Sequence, residues 1–462
     1  MPQATLSSHH IRLIATVASV TMLAFFDYAL VFYLKEVIAD NFFGGREVMW
    51  LYSMQAVGLF LGAYIAHPIG GFLLGQYGDA NGRRAVLFLS LLGLTVFTFI
   101  IAVLPTYHHL GVLAPILFIV ARFGQGLAYG GQIPSALVLL TEQLPMRRVG
   151  LGCSFVVVGV LIGVLLVSLL SSFLANILSY ADMLSYGWRI PFVIGGVLSA
   201  SLLLSLHTLK ETSIDVQTKD RHAEAGHTLS AMSFDGLTKT QIQDLADANI
   251  FHDDKPQSIQ KSSLVQIITK NRLSSLIPAV LISWIMLSVF IVIAIIMPML
   301  LNISFAVSES ILVFGSGLAV FFMMIGCAFY GYLMDRVNVG KVMIFGGIFF
   351  IVNTSLFFVQ LGLGSDLMLL WFALLGFSGG MIATLPVVLV RLFPSKIRLT
   401  SIALTYNVTY ALVAGGVPSL LAFATFHLPL APALYLLWVG LLTIFLSFYI
   451  YYLPRSERDI AR

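Results

Sequence analysis

Long uninterrupted apolar runs constrain this chain more than any other feature. A helix needs ~20 apolar residues to cross ~30 Å of hydrocarbon. Twelve runs reach that length: 11–34, 51–74, 85–104, 112–140, 150–174, 188–209, 273–300, 307–332, 342–362, 366–390, 400–425 and 431–453. Backbone groups in lipid must be satisfied internally, so such runs are expected to be helices. A membrane barrel would alternate apolar with polar residues, and these runs are continuous. Apolar residues make up 59% of the chain and charged residues 10%, against ~25% charged in soluble domains. That excludes an ordinary soluble enzyme, a disordered chain, a collagen and a disulfide scaffold. Cys153 and Cys327 both fall inside apolar runs and read as small hydrophobes. The first run is too long for a signal peptide, lacks a small-residue cleavage pattern and carries Asp27, so it is expected to be a retained span.

The charges predict an orientation. With the N-terminus inside, 21 of 25 Lys and Arg fall in cytoplasmic segments, and only Lys35, Arg46 and Arg189 lie outside. Without residues 210–272 the count is still 13 against 3. Both termini are therefore expected on the cytoplasmic side. The long break between runs six and seven divides the chain into an N-terminal half (1–210), a linker (211–263) and a C-terminal half (264–462). The linker is polar, with Asp215, Asp220, Arg221, Glu224, Asp244, Asp247, Asp253 and Asp254. It is expected to be a flexible cytoplasmic tether, with a short amphipathic helix near Leu237–Ala248.

The halves repeat each other. Gly75-Gln-Tyr-Gly-Asp79-Ala-Asn-Gly-Arg83-Arg84 follows run two, and Gly331-Tyr-Leu-Met-Asp335-Arg-Val-Asn-Val-Gly-Lys341 follows run eight. Gln143-Leu-Pro145-Met-Arg147-Arg148 follows run four, and Leu392-Phe-Pro394-Ser-Lys396-Ile-Arg398 follows run ten. The aspartates lie 256 residues apart and the prolines 249. Two six-helix halves with a site at their interface suit alternating access. The expected fold is an all-α polytopic membrane protein of twelve transmembrane helices in two six-helix halves.

These motifs resemble the major facilitator superfamily, whose most specific mark is the Asp79 loop with its weaker echo at Asp335. Within that superfamily the chain is similar to the metabolite:H+ symporters, bacterial importers of compatible solutes and organic acids. The passages that carry this are Phe26-Asp27-Tyr28, His67-Pro-Ile-Gly-Gly71, Ala114-Pro-Ile-Leu117 with Arg122-Phe-Gly-Gln125-Gly126, Gly130-Gly131-Gln132, Gly187-Trp-Arg-Ile-Pro-Phe192, and Tyr406-Asn407 with Gly415-Gly-Val-Pro418. The chain departs from the family pattern at three places. His67 stands where an arginine is usual, Gln132 where a glutamate is usual, and Arg391 where a glutamate is frequent. The resemblance implies a bacterial cytoplasmic membrane, a functional monomer in the bilayer, and a small-molecule substrate carried with protons.

Asp27 and Arg122 are ionisable residues deep in spans. Each falls about two-thirds of the way toward the outside, so each should face the bundle interior and find a partner, the other included. They are the candidates for proton coupling, with His67, an imidazole that titrates near neutral pH, as the third. Tyr28, Arg122, Gln125, Gln132, Tyr406 and Asn407 are the candidate substrate contacts. Gln125 and Gln132 keep roughly to the Arg122 stripe of one helix. Tyr28, Tyr129, Trp284, Tyr406 and Tyr410 offer aromatic faces to a cationic group. Asp79, Arg83, Arg84, Glu142, Asp335 and Lys341 are the candidate cytoplasmic gate. There the carboxylates would accept from helix N-termini of the opposite half and Arg83 would reach Glu142. Arg189, an outside positive charge, invites a partner such as Asp182, Asp27 or an anionic substrate.

The expected function is secondary active transport, the proton-coupled import of a small zwitterion or monocarboxylate. One fixed cation, Arg122, matches one carboxylate better than two or three. An uncoupled facilitator is the first alternative, raised by His67 and Gln132. A drug:proton antiporter is the second, but the Gly-Pro pair typical of its fifth span is absent from Gly159-Val-Leu-Ile-Gly163. A membrane enzyme finds no support in metal-ligand clusters, nucleotide loops or a folded soluble domain. Gly78–Arg84 lacks the ending of a phosphate loop. No cofactor, metal or nucleic-acid partner is expected.

Overall fold

The structure is a computed structural model that describes residues 6–44, 62–206, 273–305 and 307–452. The linker 211–263, its short helix near 237–248 and Arg46 lie outside the described residues. Within them, twelve long helices form two groups. The first six are α1 (Ser8–Tyr33), α2 (Gly62–Asn81), α3 (Arg83–Val103), α4 (Leu113–Gln143), α5 (Val149–Ile177) and α6 (Arg189–Leu206). The second six are α7 (Ser275–Asn302), α8 (Glu309–Met334), α9 (Val339–Gly362), α10 (Met368–Arg391), α11 (Arg398–His427) and α12 (Ala431–Tyr452). Over its described residues each run predicted as a span coincides with one of these helices, and the outward-facing side chains are apolar, such as Leu204, Phe426 and Phe445.

Within the first half α1 packs on α5, α2 on α4 and α3 on α6. Within the second, α8 packs on α10, α7 on α11 and α9 on α12. The halves meet along two lines, α2 against α11 and α5 against α8. Small residues bring helices close where no apolar drive distinguishes helix from lipid. A Cβ at Gly126 would meet the Ala63 carbonyl of α2, and one at Gly376 the Ala319 carbonyl of α8.

Three spans are interrupted. α4 is broken at Gly131, between segments Leu113–Gly130 and Gln132–Gln143. Its counterpart α10 tightens into a 3-10 turn at Gly380–Thr384. α7 widens into a π turn at Val292–Ile296, just before Pro298. Such turns frequently mark functional positions in long helices. One boundary differs from the hydropathy pattern. The apolar run ends at residue 74, but α2 continues through Asn81, and only Gly82 separates it from α3. Gly82 has φ 105°, a conformation glycine adopts without strain, and this reverses the chain in one residue. Asp79 therefore sits on the last turn of a helix rather than in a loop.

Candidate functional site

A cavity of about 630 Å³ opens between the halves. It is lined by Phe32 and Tyr64 from the first half and by Ile295, Pro298, Tyr410 and Pro418 from the second. Tyr64 lies in the first described turn of α2, and Pro418 in the last third of α11. The cavity thus occupies the end of the bundle opposite Asp79 and Asp335. Its walls are largely apolar, with Lys35 the charged residue at its edge.

Tyr64 and Tyr410 form the inner floor, and the candidate polar residues lie beneath it. His67 is fully buried, one turn below Tyr64. Its ring stacks on Tyr129 at 4.9 Å and stands 5.1 Å from Tyr410, 5.4 Å from Tyr28 and 6.1 Å from Tyr64. Neither ring nitrogen has a hydrogen-bond partner. The Arg122 guanidinium lies 5.2 Å from the Tyr28 ring centroid, a cation–π distance. Beyond Tyr410, on the side away from the cavity, a pocket of about 30 Å³ is lined by Phe25, Ile133, Phe290 and Tyr406.

Asp27 and Arg122, both fully buried, are joined through two other side chains. Arg122 Nη1 donates to Gln125 Oε1 at 2.8 Å. Gln125 Nε2 donates to Thr98 Oγ1 at 2.9 Å, and Thr98 donates to Asp27 Oδ2 at 3.1 Å. Asp27 Oδ1 has no partner.

Gln132 and Asn407 act between helices. Gln132 Nε2 donates to the Val20 carbonyl of α1 at 3.1 Å. Asn407 Nδ2 lies 2.7 Å from the Gly130 carbonyl of α4 and 2.7 Å from Ala403 O of its own helix. The first of these is a hydrogen bond between the halves, and Gly71 makes room for it, since a Cβ there would collide with the Asn407 amide. Each of the two residues keeps a buried, unpartnered carbonyl oxygen.

The end opposite the cavity is sealed by charge-assisted contacts between the halves. Asp79 caps the start of α11: Leu399 N donates to Oδ1 at 3.1 Å, Thr400 N to Oδ2 at 2.9 Å and Thr400 Oγ1 to Oδ2 at 2.6 Å. Asp335 caps the start of α5, accepting from Gly150 N at 2.8 Å and Leu151 N at 3.3 Å. Burial holds the Asp335 carboxyl above the ordinary carboxylate range, at about 6, against the pull of the Leu151 and Gly150 N–H groups and of Arg148. Arg83, almost fully buried, lies 3.2 Å from Glu142 and 3.4 Å from Asp79, and donates to Ser395 O across the interface at 2.8 Å. Arg398 donates to Glu142 at 2.9 Å. Two other candidate gate residues stand apart from this cluster. Arg84 donates to Leu206 O within its own half, and Lys341 is exposed on the first turn of α9.

Several placements have no sequence signal. Thr98, Tyr64 and Arg398 complete the three clusters; Thr98 and Tyr64 belong to no chemical motif, and Arg398 closes the repeated Leu392–Arg398 segment without any sign of its partner. Arg189 donates to the backbone carbonyls of Ser185 and Leu104 and stacks on Trp188, so its partners among the described residues are neither Asp182 nor Asp27. Trp284 hydrogen-bonds Tyr435 of α12, a partner that is not among the cavity-lining residues.

Residues 17–418 match the family model described as the Major Facilitator Superfamily. The chain is 33% identical over 178 residues to the inner membrane metabolite transport protein YhjE of Escherichia coli (strain K12), a match covering 38% of this chain and only 40% of that protein. It is 27% identical over 417 residues to the proline/betaine transporter of the same strain, covering 86% of this chain and 74% of that one. The solved proton:xylose symporter XylE bound to 6-bromo-6-deoxy-D-glucose superposes with a TM-score of 0.73 at 14% identity, over 98% of this chain and 99% of its own. At that identity the likeness speaks for the fold alone. Twelve helices in two halves, matched along most of their length by one family of carriers, make this a membrane transporter rather than an enzyme, and the chain belongs to the Major Facilitator Superfamily.

Proposed function

We propose that this transporter imports a small zwitterion or monocarboxylate together with protons, by alternating access, in a bacterial cytoplasmic membrane. The observation that carries the proposal is the buried chain from Arg122 through Gln125 and Thr98 to Asp27, just under the cavity floor. A charge at mid-membrane costs at least ~2.5–3.5 kcal/mol, so a buried cation and a buried acid held on one hydrogen-bonded chain call for a role. Arg122 receives the substrate carboxylate, and Tyr28, Gln125, Gln132, Tyr406 and Asn407 complete the site as neutral groups. Asp27 carries the proton, with His67 as a second titratable group under the tyrosine floor. The end rich in Arg and Lys faces the cytoplasm, and residues 211–263 tether the halves there. Asp79, Arg83, Glu142 and Asp335 then form the cytoplasmic gate, shut while the cavity is open to the outside. The names of the relatives, metabolite and proline/betaine transporters, are in keeping with a small polar substrate.

The test is an uptake screen in proteoliposomes. Labelled zwitterions, monocarboxylates and tricarboxylates are offered with and without an imposed pH gradient. Saturable accumulation of a zwitterion or monocarboxylate that depends on the gradient is expected. Tight, saturable uptake of a tricarboxylate at neutral pH would overturn the substrate assignment, and accumulation indifferent to the gradient the coupling.

A further inference from the structure

We infer that Thr98 and Gln125 are positioning residues that tie the occupancy of Arg122 to the protonation of Asp27. The inference rests on the coupling role proposed above for those two residues. Its basis is the polarity of the chain between them. Arg122 has only donors, so it fixes Oε1 of Gln125 toward itself and leaves Nε2 to donate onward. Thr98 accepts that donor and must therefore point its own hydrogen at Asp27. Every bond runs one way, from guanidinium to carboxylate, through side chains with 2% exposure or less. Bonds in such a chain polarise one another, so the charge on Arg122 reaches Asp27 Oδ2 without direct contact.

Among the described residues this chain joins the two. α5, packed along α1, carries no charged residue. On α3 the charges are Arg83 and Arg84 at the opposite end, and on α6 the charge is Arg189, held by backbone carbonyls. α4 also carries Glu142, which lies at the sealed end, so among the described residues Arg122 is the charged group that faces Asp27, with hydroxyls from Thr98 and from Ser199 of α6 nearby. The other carboxylate oxygen, Oδ1, points at Gly195 of α6, where a Cβ would collide with it. That oxygen is unpartnered and takes the proton. When a substrate carboxylate draws Arg122 away, Gln125 Oε1 loses its charged donor. The chain depolarises, and Asp27 Oδ1 gains an O–H bond with a proton taken from water at the outer face. Return of Arg122 to Gln125 restores the polarity, and the proton leaves to water at the other face.

The experiment uses Thr98→Val, which keeps the shape and removes the hydroxyl, and Thr98→Ser, which keeps the hydroxyl. Thr98→Ala stands in if the valine variant does not reach the membrane. Purified protein in liposomes is assayed twice: for protons taken up per substrate, with a trapped pH indicator, and for substrate counterflow without a gradient. Loss of one hydrogen bond to a charged group should cut the proton-to-substrate ratio of Thr98→Val roughly tenfold, while counterflow stays within about twofold, the scale of a neutral bond. Thr98→Ser should recover the ratio. A wild-type ratio in Thr98→Val or Thr98→Ala overturns the relay alone. A wild-type protein that moves no protons with substrate overturns the coupling at Asp27 and Arg122, and the relay with it.

Discussion

The two junctions that seal one end of this transporter are built to the same plan and finished differently. In each, an aspartate at the end of one helix caps the start of a helix in the other half. Asp79 takes the Leu399 and Thr400 N–H groups, and Asp335 takes those of Gly150 and Leu151. The first junction adds a charge network, with Arg83 and Arg398 both held by Glu142. At the corresponding positions of the second stand Val339 for Arg83, Val149 for Arg398 and Arg391 for Glu142. What remains common is the carboxylate on a helix N-terminus, which the macrodipole favours. The difference teaches that the cap is the shared element, whereas the network centred on Glu142 belongs to the first junction.

Three measurements sharpen or break that comparison. The largest effect is expected from Asp79→Asn, which removes the charge from a group that accepts three bonds across the interface. Each charge-assisted bond is worth ~1.5–3 kcal/mol, so the balance between states should shift tenfold or more, with uptake falling accordingly. Normal uptake by that variant would mean that the cap does not control the cycle. Glu142→Gln comes second. It leaves the cap intact and two arginines with a weaker partner, for a loss of roughly threefold to fivefold in uptake. An effect as large as that of Asp79→Asn would make the network, rather than the cap, the dominant element.

The smallest effect is a pH response at the second junction. Asp335 has a raised carboxyl, about 6, in the sealed state, and an ordinary one once that end opens to water. The sealed state therefore binds the proton more readily. Lowering the pH on that face from 7 through 6 favours sealing, and raising it above 6 removes the preference. Because the group is partly solvated, the change should be about twofold. Cys153, buried on α5 one turn beyond Gly150, reports opening through its labelling rate in a Cys327→Ser background. The pH response should vanish, relative to the same rate at the same pH, in Asp335→Asn.

The architecture was legible because lipid imposes one rule on every span, so apolar runs of sufficient length become helices, and because Asp79 and Asp335 recur at one offset. The gate was half legible. Asp79, Arg83 and Glu142 could be paired from their motif, but Arg398 contacts Glu142 across 256 residues of sequence. The polar core was the least legible, and Thr95 and Thr98 show why. They sit one turn apart in the same apolar run. Thr95 donates to Leu91 O of its own helix at 2.7 Å, whereas Thr98 reaches Asp27 on another. A hydroxyl in a membrane helix has both options, and only the neighbouring helix decides. Asn407 poses the same difficulty in reverse. Its motif suggested a substrate contact, and its amide is spent on Gly130 in this conformation.

The one-residue turn at Gly82 has a mechanical meaning. It ties α3 to α2 with almost no slack, so Arg83, the first residue of α3, travels with the seal. Thr98 lies fifteen residues further along the same helix, about 22 Å at 1.5 Å per residue. A continuous hydrogen-bonded rod barely stretches or shears along that length. In the cycle proposed above, a parting of the seal that tilts α3 would arrive at Asp27 as a change of angle at the Thr98 hydroxyl, and a change of angle is what a single hydrogen bond tolerates least.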